Sequence, residues 1–174
     1  MNKKLIASII VASSTLLANS ALATDGSINF TGEITDQACQ LSSGSDALEV
    51  NLGKVSKTAL PAVGSTTAST KFTIKLSGCP ASITSAAVTF DGTPYAGDNQ
   101  ILALRADSGV ATGVGIQITD DANTVVPLYT KSKTYTLQET VENNLDFSAR
   151  YIAKSANITA GPANSNAIFT VSYN

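Results

Sequence analysis

Two cysteines, Cys39 and Cys79, are the residues whose type and number point most directly to a covalent reaction. An even number of cysteines favours a disulfide, provided that the chain reaches an oxidising compartment. The alternative is a pair of free, buried thiols. A bridge between these positions would close a loop of several tens of residues, which chain-entropy arithmetic values at roughly 4 kcal/mol.

Catalysis lacks its usual participants, because the chain contains no histidine. That absence removes the commonest general base, the commonest zinc ligand and every Ser-His or Cys-His nucleophile pair. No Gly-x-Ser-x-Gly elbow and no glycine-rich phosphate loop with a lysine occurs. We interpret Asp120 and Asp121 as turn residues, and Glu139 and Glu142 as solvated loop charges. The sequence therefore predicts no enzyme, no cofactor and no metal site.

The beginning of the chain indicates export. Lys3 and Lys4 precede a mostly apolar, uncharged run from Leu5 to Leu17, and Ala21-Leu22-Ala23 then supplies the small residues that a signal peptidase requires. We predict a signal peptide over residues 1–23. The alternative, a short membrane anchor, is disfavoured because the run is too short to span a bilayer. Export would supply the compartment that a disulfide needs.

The mature chain is predicted to begin at Thr24, and its length suits one domain with a sizeable core. The full chain has a net charge of −2, and loss of Lys3 and Lys4 makes the remainder more acidic. Because phosphate backbones are bound by clustered Lys and Arg, the composition disfavours a nucleic acid partner.

Apolar residues recur at every second position in at least six stretches, and a period of two places each set on one face of a strand. Turn residues separate these stretches, as in Asp91-Gly92 and Gly161-Pro162. Many short strands with one apolar face each predict an all-β sandwich. The stretches are Leu48, Val50 and Leu52; Phe72, Ile74 and Leu76; Ala86, Val88 and Phe90; Val114, Ile116 and Ile118; Leu145, Phe147, Ala149 and Tyr151; and Ala167, Phe169, Val171 and Tyr173.

The segment ahead of the first cysteine alternates in the same way. Gly26, Ile28, Phe30, Gly32 and Ile34 share one parity, and polar residues occupy the other. Its simplest interpretation is the first strand of its own sandwich. The stretch that ends at Tyr173 is, by itself, an ordinary closing strand.

Taken together, the two ends resemble the pilins of the type 1 fimbrial family. The matching features are Gly161, alternating apolar residues and the penultimate Tyr173 at one end, and Ile-Asn-Phe-Thr-Gly-Glu-Ile ahead of Cys39 at the other. Two internal segments also match, Gly113-Val-Gly-Ile-Gln-Ile-Thr-Asp120 and Phe147-Ser-Ala-Arg-Tyr151. Two features depart from the pattern: Pro162 follows the motif glycine, and few residues precede Cys39. The short extension looks more like that of a minor or adapter subunit and leaves the rank of the subunit open.

The resemblance implies an incomplete immunoglobulin-like sandwich that lacks its final strand and is completed by a donor strand from a partner. Residues 24–37 would form the donor extension, and residues 38–174 the pilin domain. In the donor, Ile28, Phe30 and Ile34 would be apolar plugs, while Gly26 and Gly32 share their face. The acceptor groove would involve Gly161, Ala167, Phe169, Val171 and Tyr173, with the carboxylate of Asn174 held by basic residues of a chaperone.

The partners implied are a periplasmic fimbrial chaperone, an outer-membrane usher and neighbouring pilin subunits in a head-to-tail polymer. The implied location is a fimbrium on the bacterial surface. The alternative is a secreted carbohydrate-binding sandwich. Sugar sites usually use exposed aromatic side chains, and a chain with no Trp and five Tyr has few to offer.

Overall fold

The computed structural model describes residues 26–32, 34 and 38–174. The predicted signal peptide lies outside the described residues, as do parts of the predicted donor extension. The chain divides into two units after Ile34, and the second unit, Thr35–Asn174, contains the described strands.

The second unit is built from antiparallel strands in two sheets. Six strands form one sheet in the order β1-β2-β8-β6-β5-β4, and three form the other in the order β7-β3-β9. A 3-10 turn, Lys57–Ala59, precedes β2. The strands are β1 Gln40–Leu41, β2 Thr70–Ser77, β3 Ser85–Asp91, β4 Pro94–Tyr95, β5 Asp98–Leu102, β6 Val114–Asp120, β7 Tyr135–Thr136, β8 Asn143–Ala153 and β9 Ile168–Tyr173.

The alternating sequence pattern determines which side chains face the core. In the larger sheet, Phe72 of β2 lies opposite Phe147 of β8. Ile118 of β6 lies opposite Ala149 on the other side of β8. Apolar residues of the same parity on β3 are buried against this layer from the smaller sheet. The predicted all-β sandwich is therefore confirmed.

Aromatic rings join the two sheets at the centre of the core. Phe72 stacks on Phe147 with centroids 5.7 Å apart. Phe90 of the smaller sheet meets Phe147 edge-on at 5.1 Å. Such pairs contribute about 0.5–1.5 kcal/mol each beyond the burial of their area. Phe147 is only 1% exposed and makes both contacts, so it is the central residue of this cluster.

The predicted disulfide is confirmed. Cys39, just before β1, is bonded to Cys79, which follows β2, and their Cα atoms lie 4.2 Å apart. Both cysteines are buried. The Asn143 side-chain amide donates a hydrogen bond to the Cys79 sulfur at 3.6 Å, which ties the bridge to the start of β8.

The acidic pair Asp120 and Asp121 begins a turn at the end of β6, as predicted. The Asp120 carboxylate accepts hydrogen bonds from the backbone N–H groups of Ala122 and Thr124, at 2.9 and 2.8 Å. Asn123 has a φ of 61°, the left-handed conformation that such turns require. No cluster of metal-ligating side chains occurs in the described part of the chain. Asp120 thus stabilises a tight connection.

One predicted strand has no ladder. Leu48, Val50 and Leu52 alternate as expected, yet the structure assigns no strand there. A ladder requires a hydrogen-bonding neighbour, and this segment pairs with no strand among the described residues. Four short strands were not predicted, β1, β4, β5 and β7, because none shows an alternating apolar pattern.

Candidate functional site: an open apolar groove

Strand β9 has one unpaired edge. Its inner edge pairs with β3 from Asp91 opposite Ile168 to Ala86 opposite Tyr173. The strand order places β9 at the margin of its sheet, and no described strand pairs with its outer edge. Such an edge presents a row of N–H and C=O groups that a further strand can bind.

The segment that lacks a ladder forms the opposite wall of a groove beside β9. Val50 and Leu52 are half-buried and pack against the core. Leu48 remains 37% exposed. Between this wall and β9 lies a cavity of about 260 Å³, lined almost entirely by apolar side chains. The lining residues are Leu48, Val50, Leu52, Phe72, Phe90, Leu102, Ile116, Ile118, Ala149, Ser165, Asn166, Ala167 and Phe169.

A second cavity, of about 490 Å³, extends the groove between the same two walls. One wall continues through residues 53–57, and the other runs back along the chain through residues 161–164. Tyr151 and Ile158 contribute apolar surface to its lining, and Lys54 and Lys57 add charged groups. The groove is therefore apolar over most of its length and carries positive charge at one end.

Gly161 allows the wall at this end to approach its neighbour closely. A Cβ atom at this position would lie 2.1 Å from the carbonyl oxygen of Gly109 and 2.7 Å from the backbone nitrogen of Ala111. The Ala111 N–H donates a hydrogen bond to the carbonyl oxygen of Pro162 at 2.9 Å, which holds the two segments together. Any side chain at position 161 would separate them.

The remaining residues of the predicted acceptor lie on or beside β9. Phe169 lines the groove, and Val171 and Tyr173 are half-buried against the core. Burial raises the pKa of the Tyr173 phenol. Ala167 precedes the strand, lines the cavity and is exposed. At the far end, the Asn174 carbonyl oxygen accepts hydrogen bonds from the N–H groups of Thr84 and Ser85, at 3.1 and 3.2 Å.

The described part of the predicted donor extension exposes its apolar side chains. Ile28, Phe30 and Ile34 are 79%, 92% and 102% exposed. At Gly26 and Gly32, a Cβ atom would meet nothing within 4 Å. Burying one large apolar side chain contributes about 1.5–3 kcal/mol, so this segment would gain from an apolar partner.

The sequence did not identify the wall opposite β9 or the floor of the groove. Leu48, Val50 and Leu52 alternate like any strand, and nothing in that pattern shows that the ladder partner is missing. The floor residues, Phe72 and Phe90 among them, were predicted only as core. Lys54 and Lys57 carry no motif and were not identified at all.

A two-sheet sandwich with an unpaired edge strand and an apolar groove beside it belongs to a definite class, the incomplete immunoglobulin-like domain that lacks its final strand. The chain belongs to the fimbrial protein family, since the model described as "Fimbrial protein" matches residues 28–174. It is 38% identical to long polar fimbria protein A of Salmonella typhimurium, over 94% of this chain and 90% of the relative. It is 35% identical to the type-1 fimbrial protein A chain of Escherichia coli K12, over 99% and 100% of the two chains.

Solved structures show the same fold. The crystal structure of the P pilus rod subunit PapA superposes with a TM-score of 0.67 at 23% identity, covering 78% of this chain and 99% of the other. An antigen and type I fimbria protein of Burkholderia pseudomallei is 40% identical, with a TM-score of 0.61, and the match covers 85% and 97% of the two chains. In the described part of the chain, no helix is long and apolar enough to cross a membrane.

Proposed function

We propose that this chain is a structural subunit of a type 1-like fimbria, which polymerises by donor-strand exchange and supports cell adhesion. The observation that carries the proposal is the apolar groove between residues 48–52 and β9, beside an edge strand that no described strand covers. A groove of this kind accepts an added strand through main-chain hydrogen bonds and apolar pockets. Membership of the fimbrial protein family supports the same conclusion.

Residues 24–37 are the donor extension in this proposal, and residues 38–174 form the domain that accepts a neighbour's donor. Ile28, Phe30 and Ile34 enter the groove, and Gly32 passes a shallow point where a side chain would clash. The exposure of the three large side chains supports this assignment. Because the donor of one copy fills the groove of the next, the contact does not close on itself and grows a filament.

Before assembly, a strand of a periplasmic chaperone fills the same groove. At an outer-membrane usher, the donor extension of the next subunit replaces the chaperone strand. Basic residues of the chaperone hold the Asn174 carboxylate. An exposed apolar groove favours aggregation, which is the physical reason for a chaperone. The product is a fimbrium on the bacterial surface, after export under the predicted signal peptide.

The proposal includes no catalytic activity. The composition supports this part of the proposal, because the chain has no histidine to act as a general base. The two acidic residues at the end of β6 are already engaged, Asp120 in backbone hydrogen bonds and Asp121 in an ion pair with Lys133. Family membership also favours a structural role.

The decisive experiment supplies the missing strand within one chain. A copy of residues 24–37 is attached after Asn174 through a flexible linker, and this protein is called the fused subunit below. We expect a soluble monomer that melts far above the unfused mature chain, which should aggregate when expressed without a chaperone. Size-exclusion chromatography and thermal denaturation measure both properties.

The matched control carries Asp at the two attached positions that copy Ile28 and Phe30. This change keeps the length and linker but removes two apolar plugs and adds charges whose burial is unfavourable. The control should behave like the unfused chain. An unfused chain that is already monomeric and as heat-stable as the fused subunit would show that no open groove exists.

A further inference from the structure

We infer that Lys54 and Lys57 form a cationic site that selects acidic donor segments from a second copy of this chain and fixes the direction in which they enter. The inference rests on the proposed donor-strand exchange and adds an electrostatic criterion to it. Apolar plugs alone would accept any segment with the same alternation. A charged end of the groove distinguishes among such segments.

The two lysines are free to act on an incoming strand. Both are exposed, and both line the 490 Å³ cavity, in which no acidic side chain takes part. Two other lysines of the domain are already neutralised: Lys75 pairs with Glu142 at 2.8 Å, and Lys154 pairs with Asp98 at 2.9 Å. Within the residues that the structure describes, Lys54 and Lys57 have no such carboxylate partner.

The donor segment has the complementary charge. Residues 24–37 contain Asp25, Glu33 and Asp36 and no basic residue. Two of the acids flank Ile34, while Asp25 lies next to the α-amino group that signal-peptide cleavage would create. The donor is therefore close to neutral at its beginning and doubly negative at its end.

This asymmetry gives the strand a preferred direction. The Ile34 end should lie at the Lys54–Lys57 end of the groove, where Gly161 forms the opposite wall, and the Gly26 end should lie beside β9. Glu33 has the opposite parity to Ile34, so its side chain would point away from the core. There it could form a cross-strand pair with a lysine on the neighbouring wall.

A competition between two peptides tests the inference. The denatured mature chain is diluted to refold with equal, excess amounts of peptide 24–37 and its E33Q/D36N form, and the monomeric complex is analysed by mass spectrometry. At low salt we expect the acidic peptide to be preferred by about threefold to tenfold, because charge steering accelerates association. The preference should approach unity at about 0.5 M salt, where screening is strong.

Two variants of the chain complete the design. K54Q/K57Q should abolish the preference for the acidic peptide. The effects of K54Q/K57Q in the chain and E33Q/D36N in the peptide should not add, because both changes remove the same interaction. K71Q/K131Q is the matched control: it removes two exposed lysines that line neither cavity of the groove, and it should keep the preference. Equal incorporation into the parent chain, or equal loss in both variants, overturns the inference and leaves donor-strand exchange intact. Failure of both peptides to give a complex overturns the proposed function, and the inference with it.

Discussion

The phenol of Tyr173 donates a hydrogen bond to the backbone carbonyl of Cys39, with the two oxygens 3.3 Å apart. This contact joins the end of β9 to the disulfide that fixes β1 to β2. The free edge strand is thus anchored at one end to the most covalently constrained part of the fold. The same tyrosine is half-buried against the core.

Replacing Tyr173 with Phe should remove this hydrogen bond and keep the ring. We expect the fused subunit to lose about 0.5–1.5 kcal/mol of unfolding free energy, the usual contribution of one such bond. Urea denaturation measures the loss. Tyr95→Phe is the control, because the Tyr95 hydroxyl makes no hydrogen bond to any described residue, and it should change little. Equal effects of the two substitutions would refute the anchoring role.

Removing the disulfide should lower the unfolding free energy more than removing the Tyr173 hydrogen bond. In the fused subunit, Cys39→Ala combined with Cys79→Ala should lower the unfolding free energy by roughly 2–5 kcal/mol, because the bridge spans a separation of 40 residues and restricts the unfolded chain. The measurement is the urea midpoint. Reduction of the parent protein should give a similar shift, which separates loss of the bridge from any packing defect. An unchanged midpoint in both cases would contradict a stabilising bridge.

Gly161→Ala should destabilise the fused subunit by about 1–3 kcal/mol. Elsewhere in a loop, Gly→Ala often stabilises by restricting the unfolded chain. Here the added Cβ would lie 2.1 Å from the Gly109 carbonyl oxygen, so the two segments must separate. Thermal denaturation gives the sign, with Ala160→Ser at the exposed neighbouring position as the control. A stabilised Gly161→Ala variant would mean that the close approach is absent in solution.

Asp substitutions at the two ends of the chain should block different stages of fimbrial assembly. Ile28→Asp with Phe30→Asp should leave chaperone binding intact and prevent assembly through the N-terminal segment. Phe169→Asp with Tyr173→Asp should prevent chaperone capture and lead to degradation, because the acceptor wall itself is changed. Co-purification with a tagged chaperone and a count of surface fibres measure the two stages. Loss of chaperone binding in the first variant would assign residues 26–34 to the chain's own fold.

Stability should decline in alkali. Burial, followed by the charges of Asp121, Asp120 and Asp146, raises the pKa of Tyr135. Burial raises the pKa of Tyr151 as well. Above about pH 10 the unfolded chain releases phenol protons that the folded chain retains, so the unfolding free energy falls as pH rises.

Comparison of the fused subunit with its Tyr135→Phe form tests this pH dependence. The variant lacks one of the titrating phenols, and its unfolding free energy should fall less steeply between about pH 9 and pH 11. It also lacks the hydrogen bond from the Tyr135 hydroxyl to the Asp146 carbonyl oxygen, so a constant offset at neutral pH is expected. Parallel pH profiles for the two proteins would exclude Tyr135 as a source of the decline.

The sequence was sufficient to predict the five strands with an alternating apolar face, because a period of two is a local property of the chain. Leu145, Phe147 and Ala149 were assigned in this way, and their strand is central in the larger sheet. The sequence did not predict β5, although Leu102 of that strand also packs in the core. The segment Leu48–Leu52 has the same pattern but no described ladder partner, and no local signal distinguishes the two cases. Lys54 was identified only from the folded structure, in which it lines the same cavity as Gly161, a residue remote in sequence.

The pairing of β9 with β3 also affects how fast the domain can fold. These strands are adjacent in the sheet, yet β4 to β8 lie between them in the chain. Folds dominated by such non-local contacts fold slowly, because the entropy of loop closure is lost before the stabilising contacts form. One wall of the groove is therefore assembled only when a long loop closes. Until then the apolar faces of β3 and β8 stay accessible, and this kinetic window is when protection from self-association matters most.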